Sequence, residues 1–231
     1  MSEKENIVEI KDLRKEYRGE GETIPVLRGL DMSVEHGRIV SVEGASGVGK
    51  STLLNIIGTI DSSTSGSIRI QGREITDMTP RGKERFRAET LGFIFQRHYL
   101  LPDFTVQENV MMPLLILRMS PREAREKADH ALSLVGLKER RFHFPNQISG
   151  GELARSGVAR ALVGDKKLIL ADEPTGNLDR TNSDKLADLL WRLQEELKFT
   201  LLIVTHDREL AERVPHRYRM LAGKLEKLSG V

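Results

Sequence analysis

Two glycine-rich turns, each followed by residues of helical character, carry the groups in this chain best suited to holding phosphate. The first reads "GASGVGKST", with Gly44, Ala45, Ser46, Gly47, Val48, Gly49, Lys50, Ser51 and Thr52 in order. It fits the pattern G-x-x-x-x-G-K-[ST] of a phosphate-binding loop. Its glycines let successive backbone N–H groups converge on phosphate oxygens, and the following helix adds its positive N-terminal end. Lys50 is placed to reach the β- and γ-phosphates of a nucleotide, and the Ser51 hydroxyl to ligate Mg²⁺. A chance match in a chain of this length is on the order of one in a hundred from average residue frequencies. The second turn, in "ISGGELARSGVARAL" at residues 148–162, offers Ser149, Gly150 and Gly151 but no cation. Such a turn completes a phosphate cage whose lysine comes from elsewhere, and a second copy of the chain would provide one.

Acidic and imidazole groups complete the set. Asp172 and Glu173 close the apolar run "LILADE". One carboxylate there is placed to hold Mg²⁺ through water, and its neighbour to orient an attacking water. His206 ends "LLIVTH". A lone histidine after a buried strand is more often structural than catalytic, and no two of the six histidines have the spacing of a zinc site.

These residues need a scaffold, and the hydrophobic pattern supplies one. "IVEI", "PVLRGLDMSV", "RIVSVEG", "GSIRIQG" and "LGFIF" read as strands, the first phosphate turn following the third of them. "KSTLLNIIG" reads as a helix ended by Gly58. Ser120-Pro121-Arg122-Glu123 is a capping-box pattern, with Ala124, Ala128, Ala131, Leu132 and Val135 as an apolar stripe behind it and Gly136 as the stop. "KLILADEP" and "FTLLIVTHD" are nearly continuous apolar runs of the kind buried on both faces of a parallel sheet. Between them Leu186, Leu189, Leu190, Leu193 and Leu197 recur at helical spacing. Strands alternating with helices imply an α/β fold built on a parallel sheet.

The chain has 231 residues, of which 30% are charged and 39% hydrophobic, enough for one substantial core with an inserted subdomain. Net charge is +2 and the charged runs "RGKERFRAET" and "REKADHAL" mix both signs, so they read as solvated faces and argue against a nucleic-acid partner. The absence of cysteine excludes disulfides and thiol catalysis. The start "MSEKENIVEI" lacks the apolar core of a signal peptide, and the longest apolar stretch, "VMMPLLIL", is too short to span a bilayer. Work at a membrane would require a partner to supply the span.

Taken in order along nearly the whole chain, these motifs resemble the ATPase subunits of ABC transporters. Gly44 to Ser51 corresponds to the Walker A loop, and Gln96, after "GFIF", to the Q-loop glutamine. Ser149, Gly150 and Gly151 correspond to the ABC signature, and Asp172 and Glu173 to the end of Walker B. Asn177-Leu178-Asp179 resembles the D-loop, His206 the switch histidine, and Tyr17 falls at the aromatic position that stacks on adenine. The resemblance implies a P-loop NTPase nucleotide-binding domain. Its expected parts are a mainly parallel core sheet with flanking helices, an N-terminal antiparallel β part and an inserted helical subdomain. A single domain over 1–231 is expected, with the core at 1–95 and 161–231 and the helical subdomain at about 96–160.

The same resemblance implies ATP and Mg²⁺ as ligands and a head-to-tail dimer of two copies sandwiching two ATP molecules. In that arrangement Lys50 neutralises phosphate, Ser51, Gln96 and Asp172 serve Mg²⁺, and Glu173 polarises the hydrolytic water. His206 senses the γ-phosphate, Ser149 and Gly151 act on the partner's nucleotide, and Asp179 lies between the two sites. "LLNIIGTID", "LPDFTVQENVMMPLL" and "LADEPTGNLD" narrow the likeness to the branch of macrolide-type exporters, division-associated proteins and lipoprotein-release ATPases. "GFIFQRHYLLPDFTVQENVMMPLLI" is most similar to the lipoprotein-releasing (Lol) ATPases. The reading that follows is a peripheral ATPase on the cytoplasmic face of the bacterial inner membrane, driving an integral permease and meeting lipoprotein cargo only indirectly. A division or cell-wall regulator and a macrolide or peptide exporter are the alternatives within the branch.

Residues 97–117 are where such proteins seat a cytoplasmic helix of the membrane subunit, while "VMMPLLIL" reads equally as a core helix. Two departures stand out. Position 152 is Glu where many signatures have Gln, and "LARSGVARAL" replaces a more polar stretch. Gly157 inside that helix costs roughly 1 kcal/mol against alanine.

Overall fold

The computed structural model describes residues 5–19 and 21–228. In chain order the strands are β1 (Asn6–Arg18), β2 (Thr23–Glu35), β3 (Ile39–Glu43), β4 (Ser65–Ile70), β5 (Arg73–Glu74), β6 (Leu91–Phe95), β7 (Leu168–Asp172), β8 (Thr200–Thr205), β9 (His216–Leu221) and β10 (Lys224–Leu228). The helices are α1 (Lys50–Ile57), α2 (Pro80–Thr90), α3 (Val106–Ile116), α4 (Pro121–Leu134), α5 (Gly150–Leu162), α6 (Arg180–Leu197) and α7 (Arg208–Glu212). They form two compact units, one from the residues up to Arg87 and from Phe199 onward, the other Ala88–Lys198.

In the first unit an antiparallel sheet has the order β2-β1-β4-β5. Ile10 and Leu13 of β1 would face opposite sides of a regular strand, yet both are buried. An extra residue in β1 between them, at Asp12 with φ of 44°, resets the alternation so that both point into the core. A second set of strands runs β10-β9-β3-β8, with β3 parallel to β8 and β9 and only the last hairpin antiparallel. All six residues of β8 are buried, which explains why its sequence does not alternate. α2 comes from the charged run "RGKERFRAET": of its residues only Phe86 is fully buried, with the Arg73 guanidinium 5.0 Å from its ring centre.

In the second unit β6 and β7 pair in parallel, Phe95 opposite Asp172. Gly92 sits where α5 crosses β6. A Cβ there would lie 2.1 Å from the Ala161 carbonyl oxygen, so only glycine permits this approach. The α4 stripe of Ala124, Ala128, Ala131, Leu132 and Val135 is buried as its spacing requires, and Ser120 caps the helix by accepting from the Glu123 amide. α3 splits "VMMPLLIL" by face: Val110, Met111 and Leu114 are buried, while Ile116 is 66% exposed. On α6 the apolar stripe ends at Leu193, and Leu197 is exposed.

Candidate functional site

β3 delivers the first phosphate turn. Glu43 is opposite Thr205 in the β3–β8 pairing, so the loop beginning at Gly44 and the bend at His206 leave the C-terminal ends of adjacent parallel strands. That is where open α/β sheets bind ligands. Gly47 and Gly49 have φ of 79° and 111°, a backbone that side chains with a Cβ rarely adopt. Gly49 caps α1 without any side-chain bond, and no acidic residue sits in the first turn. The amides and positive end of α1 therefore face the loop unscreened.

Lys50 is buried, its Nζ donating to the carbonyls of Gly44 and Ala45 at 2.8 and 3.0 Å. These bonds hold a charged donor inside the curve of the loop, beside the exposed Ala45, Ser46 and Gly47. Val48 is half-buried, and Ser51 and Thr52 open α1.

Tyr17 is anchored to the same region. Its hydroxyl donates to Asp61 Oδ2 at 2.7 Å, and the Thr52 hydroxyl bonds to the tyrosine oxygen. Lys15 Nζ donates to Asp61 Oδ1 at 2.8 Å and the Ser62 carbonyl at 2.7 Å, and lies 4.5 Å from the Tyr17 ring centre. Burial together with the bond to Asp61 raises the Tyr17 pKa, with Thr52 opposing. Burial alone would raise Asp61, but bonds from Lys15, Tyr17 and the Ser62 amide outweigh it and hold the carboxyl below its usual value. Tyr17 as a whole stays 43% exposed. Asp61 and Lys15 escaped the sequence reading. The signal was "GTID", where an acid follows the helix end.

His206 is exposed and held by its neighbours: the Asp207 amide donates to Thr205 Oγ1 at 3.0 Å, and Asp207 accepts from the Glu209 and Leu210 amides to cap α7.

In the second unit the parallel β6–β7 pair places Gln96 and Glu173 at neighbouring strand ends. Asp172 and Glu173 are half-buried, and Glu173 has φ of 46°. A non-glycine residue in that conformation costs on the order of 1–2 kcal/mol, a strain that clusters where a side chain must be aimed. Gln96 and Asn177 bond reciprocally, side chain to side chain at 3.2 Å and Asn177 Nδ2 to the Gln96 carbonyl at 2.8 Å. Gly176 makes room: a Cβ there would lie 2.8 Å from Gln96 Nε2.

Asp179 caps α6, accepting from the Asn182 amide at 3.0 Å and the Asn182 side chain at 2.5 Å. Those bonds, the amide first, lower its pKa. Ser149 caps α5, with Gly150 and Gly151 as the first helical residues. Glu152 accepts from both the amide and hydroxyl of Ser149 at 2.8 Å and from Arg140 Nε at 2.9 Å, which lower its pKa to about 2.

Two further organisers were not foreseen. Asn109 is buried and ties down the preceding loop, its side chain bonding the backbone of Leu101, Phe104 and Thr105. Arg160 on α5 donates Nη1 to the Tyr99 carbonyl at 2.6 Å and Nη2 to that of His98. His98 and Tyr99 both have positive φ, 52° and 46°, three residues or fewer after Gln96.

A strand leading into a glycine loop, a buried lysine in that loop, and a helix with no side-chain cap behind it have the geometry of an anion-binding cradle. The family model described as "ABC transporter" matches residues 27–176. The chain belongs to the ABC transporter family, as its ATP-hydrolysing cassette.

It is 47% identical over 214 residues to the "Lipoprotein-releasing system ATP-binding protein LolD" of Bdellovibrio bacteriovorus, covering 92% of this chain and 97% of that protein. It is 45% identical over 226 residues to the protein of the same name from Oleidesulfovibrio alaskensis, covering 97% and 98%. Among solved structures it matches a dimeric ATP-binding cassette in a post-hydrolysis state bound to ADP and Pi. The TM-score is 0.87 at 36% identity, covering 97% of this chain and 100% of that one. No helix among the described residues is long and apolar enough to cross a membrane.

Proposed function

We propose that this cassette powers a lipoprotein-releasing ABC system from the cytoplasmic face of the bacterial inner membrane. It works as a peripheral subunit bound to an integral permease, and lipoprotein is handled by the permease rather than by this chain. The observation that carries the reading is the 47% identity, over nearly the full length of both chains, to a protein named for lipoprotein release.

Two copies pack head to tail around two ATP molecules. Tyr17 stacks on the base, the amides of Gly44 to Thr52 and the Lys50 ammonium take the phosphates, and Ser149, Gly150 and Gly151 close on the partner's nucleotide. Glu173 accepts a proton from the attacking water, His206 contacts the γ-phosphate, and Asp179 meets its counterpart between the sites. Ser51, Gln96 and Asp172 are oxygen donors of the kind Mg²⁺ takes, and they would hold it. Bound there, the ion supplies neutralising charge on the β- and γ-phosphates. Residues 96–160 act as a helical subdomain inserted in a core of 1–95 and 161–231. Its exposed Tyr99, Leu101, Phe104 and Ile116 receive the permease.

The test is a pull-down from native membranes with the ATP-loaded Glu173→Gln variant, followed by mass spectrometry. A permease accompanied by acylated lipoproteins supports the reading. A partner tied to cell-wall hydrolases, with no acylated cargo, overturns the lipoprotein assignment and leaves the ATPase in place.

A further inference from the structure

The signature serine has one hydroxyl proton, and it is already committed. Ser149 Oγ donates to Glu152 Oε2 at 2.8 Å, and the same carboxylate oxygen takes the Ser149 amide at 2.8 Å. A serine hydroxyl is a single donor, so it cannot serve a phosphate oxygen until it turns away from Glu152. The other carboxylate oxygen is held by Arg140 Nε at 2.9 Å. Arg140 does not drift there by chance. It ends a short 3₁₀ turn (Lys138–Arg140) anchored by buried Leu137, and the segment after it is pinned to α3 by bonds from the Val106 and Gln107 amides to the carbonyls of His143 and Arg141.

Electrostatics assigns the pair opposite tasks. A carboxylate at the first turn of α5 satisfies the helix dipole and holds the serine in place, but repels an incoming anion. The guanidinium opposite cancels that charge while leaving the hydrogen bonds intact. His143 is the other titratable group against Arg140, with Nε2 3.5 Å from Nη1. The neutral glutamine that many signatures carry at this position needs no such partner.

We infer that Arg140 and Glu152 are positioning residues that set how strongly the signature serine engages the γ-phosphate of the opposing nucleotide, Arg140 serving to neutralise the charge on Glu152. The inference rests on Ser149 acting on a partner's ATP.

ATP-dependent dimerisation, followed by sedimentation in the Glu173→Gln background, tests it through five variants. Arg140→Ala weakens dimerisation about tenfold when Glu152 is present. The same change in a Glu152→Gln chain costs less than about twofold, because no charge remains to neutralise. Arg140→Lys restores most of the loss. Binding of a fluorescent ATP analogue to the monomer and the melting temperature serve as controls for folding. Equal losses from Arg140→Ala in both backgrounds overturn the inference, since they reveal a purely structural arginine, and so does the absence of loss in either. Ser149→Ala separates the two levels. If it dimerises like its parent, the reading of Ser149 fails and takes the inference with it. If it is impaired while Arg140 and Glu152 are uncoupled, only the inference fails.

Discussion

Asp61→Asn isolates the anchor of Tyr17, the ring proposed to stack on the base. Asn keeps the shape but removes the charge and one of the two acceptor oxygens, and with its remaining oxygen turned to the Lys15 ammonium it presents an NH₂ to the Tyr17 hydroxyl in place of the acceptor. Lys15 has a side chain only 11% exposed, against 30% for Asp61, so the lysine feels the loss most. Hydrogen bonds to charged groups contribute about 1.5–3 kcal/mol, and partial exposure brings the stability cost to about 1–2 kcal/mol. For a chain of this size that lowers the melting temperature by roughly 3–6 °C. The Tyr17–Asp61 bond contributes about 1 kcal/mol to holding the ring, so the KM for ATP rises about fivefold while kcat stays near its parent value.

Tyr17→Phe retains the ring and loses the same bond, and should raise KM to a similar extent. Steady-state ATPase assays on the two single variants and the double variant decide the matter. If the bond is what matters, the double variant is no worse in KM than either single one. Additive KM effects, or a lowered melting temperature with KM unchanged, would refute Asp61 as the support for Tyr17 in the role proposed for it.

Gly157→Ala should raise the melting temperature by roughly 2–4 °C, because a methyl there meets nothing within 4 Å and alanine is about 1 kcal/mol better in a helix; calorimetry reads the shift. Gly92→Ala should instead leave little folded protein at 37 °C by circular dichroism, since its Cβ would meet the Ala161 carbonyl at 2.1 Å and the Ile169 side chain at 2.5 Å. The folded Glu152 carboxyl sits near 2, below its ordinary 4.5, so ionisation stabilises the start of α5 above pH about 4.5, and this contribution is lost as pH falls toward 2. Protection of the Ser149 amide, its exchange rate taken against the intrinsic rate at each pH, should fall as pH drops through that window in the parent and hold in Glu152→Gln.

Sequence periodicity located the buried strands and the α4 stripe because burial on both faces, or on one helical face, leaves an unambiguous pattern. It said less about β9 and β10, whose "HRYRML" and "KLEKL" alternate charge with apolar residues beside the exposed edge. The bulge at Asp12 was equally hidden, since an extra residue in a strand is a matter of pairing and not of composition. Lys50, Ser51, Asp172 and Glu173 could be named from motif and position, and Tyr17 and Gln96 from the family resemblance, but their supports could not. Asp61 lies 44 positions from Tyr17, and Asn177 lies 81 from Gln96. Such partners meet only through the fold, and an acid or an amide in a loop carries no local mark of its distant bond.

The guanidinium of Arg160 gives the chain something like a cocked latch. Two consecutive non-glycine residues, His98 and Tyr99, are held in left-handed backbone, and both their carbonyls accept from the Arg160 side chain. Their strain is offset by these bonds from α5 together with the turn's own, the His98 amide donating to the Phe95 carbonyl and the Tyr99 amide to that of Arg97. The exposed Tyr99 ring lies edge-on to Phe95 at 5.3 Å, so a residue open to solvent is joined to α5 through its own carbonyl and the Arg160 side chain. The helix capped by Ser149 and the segment that follows Gln96 are therefore tied directly to each other by one guanidinium.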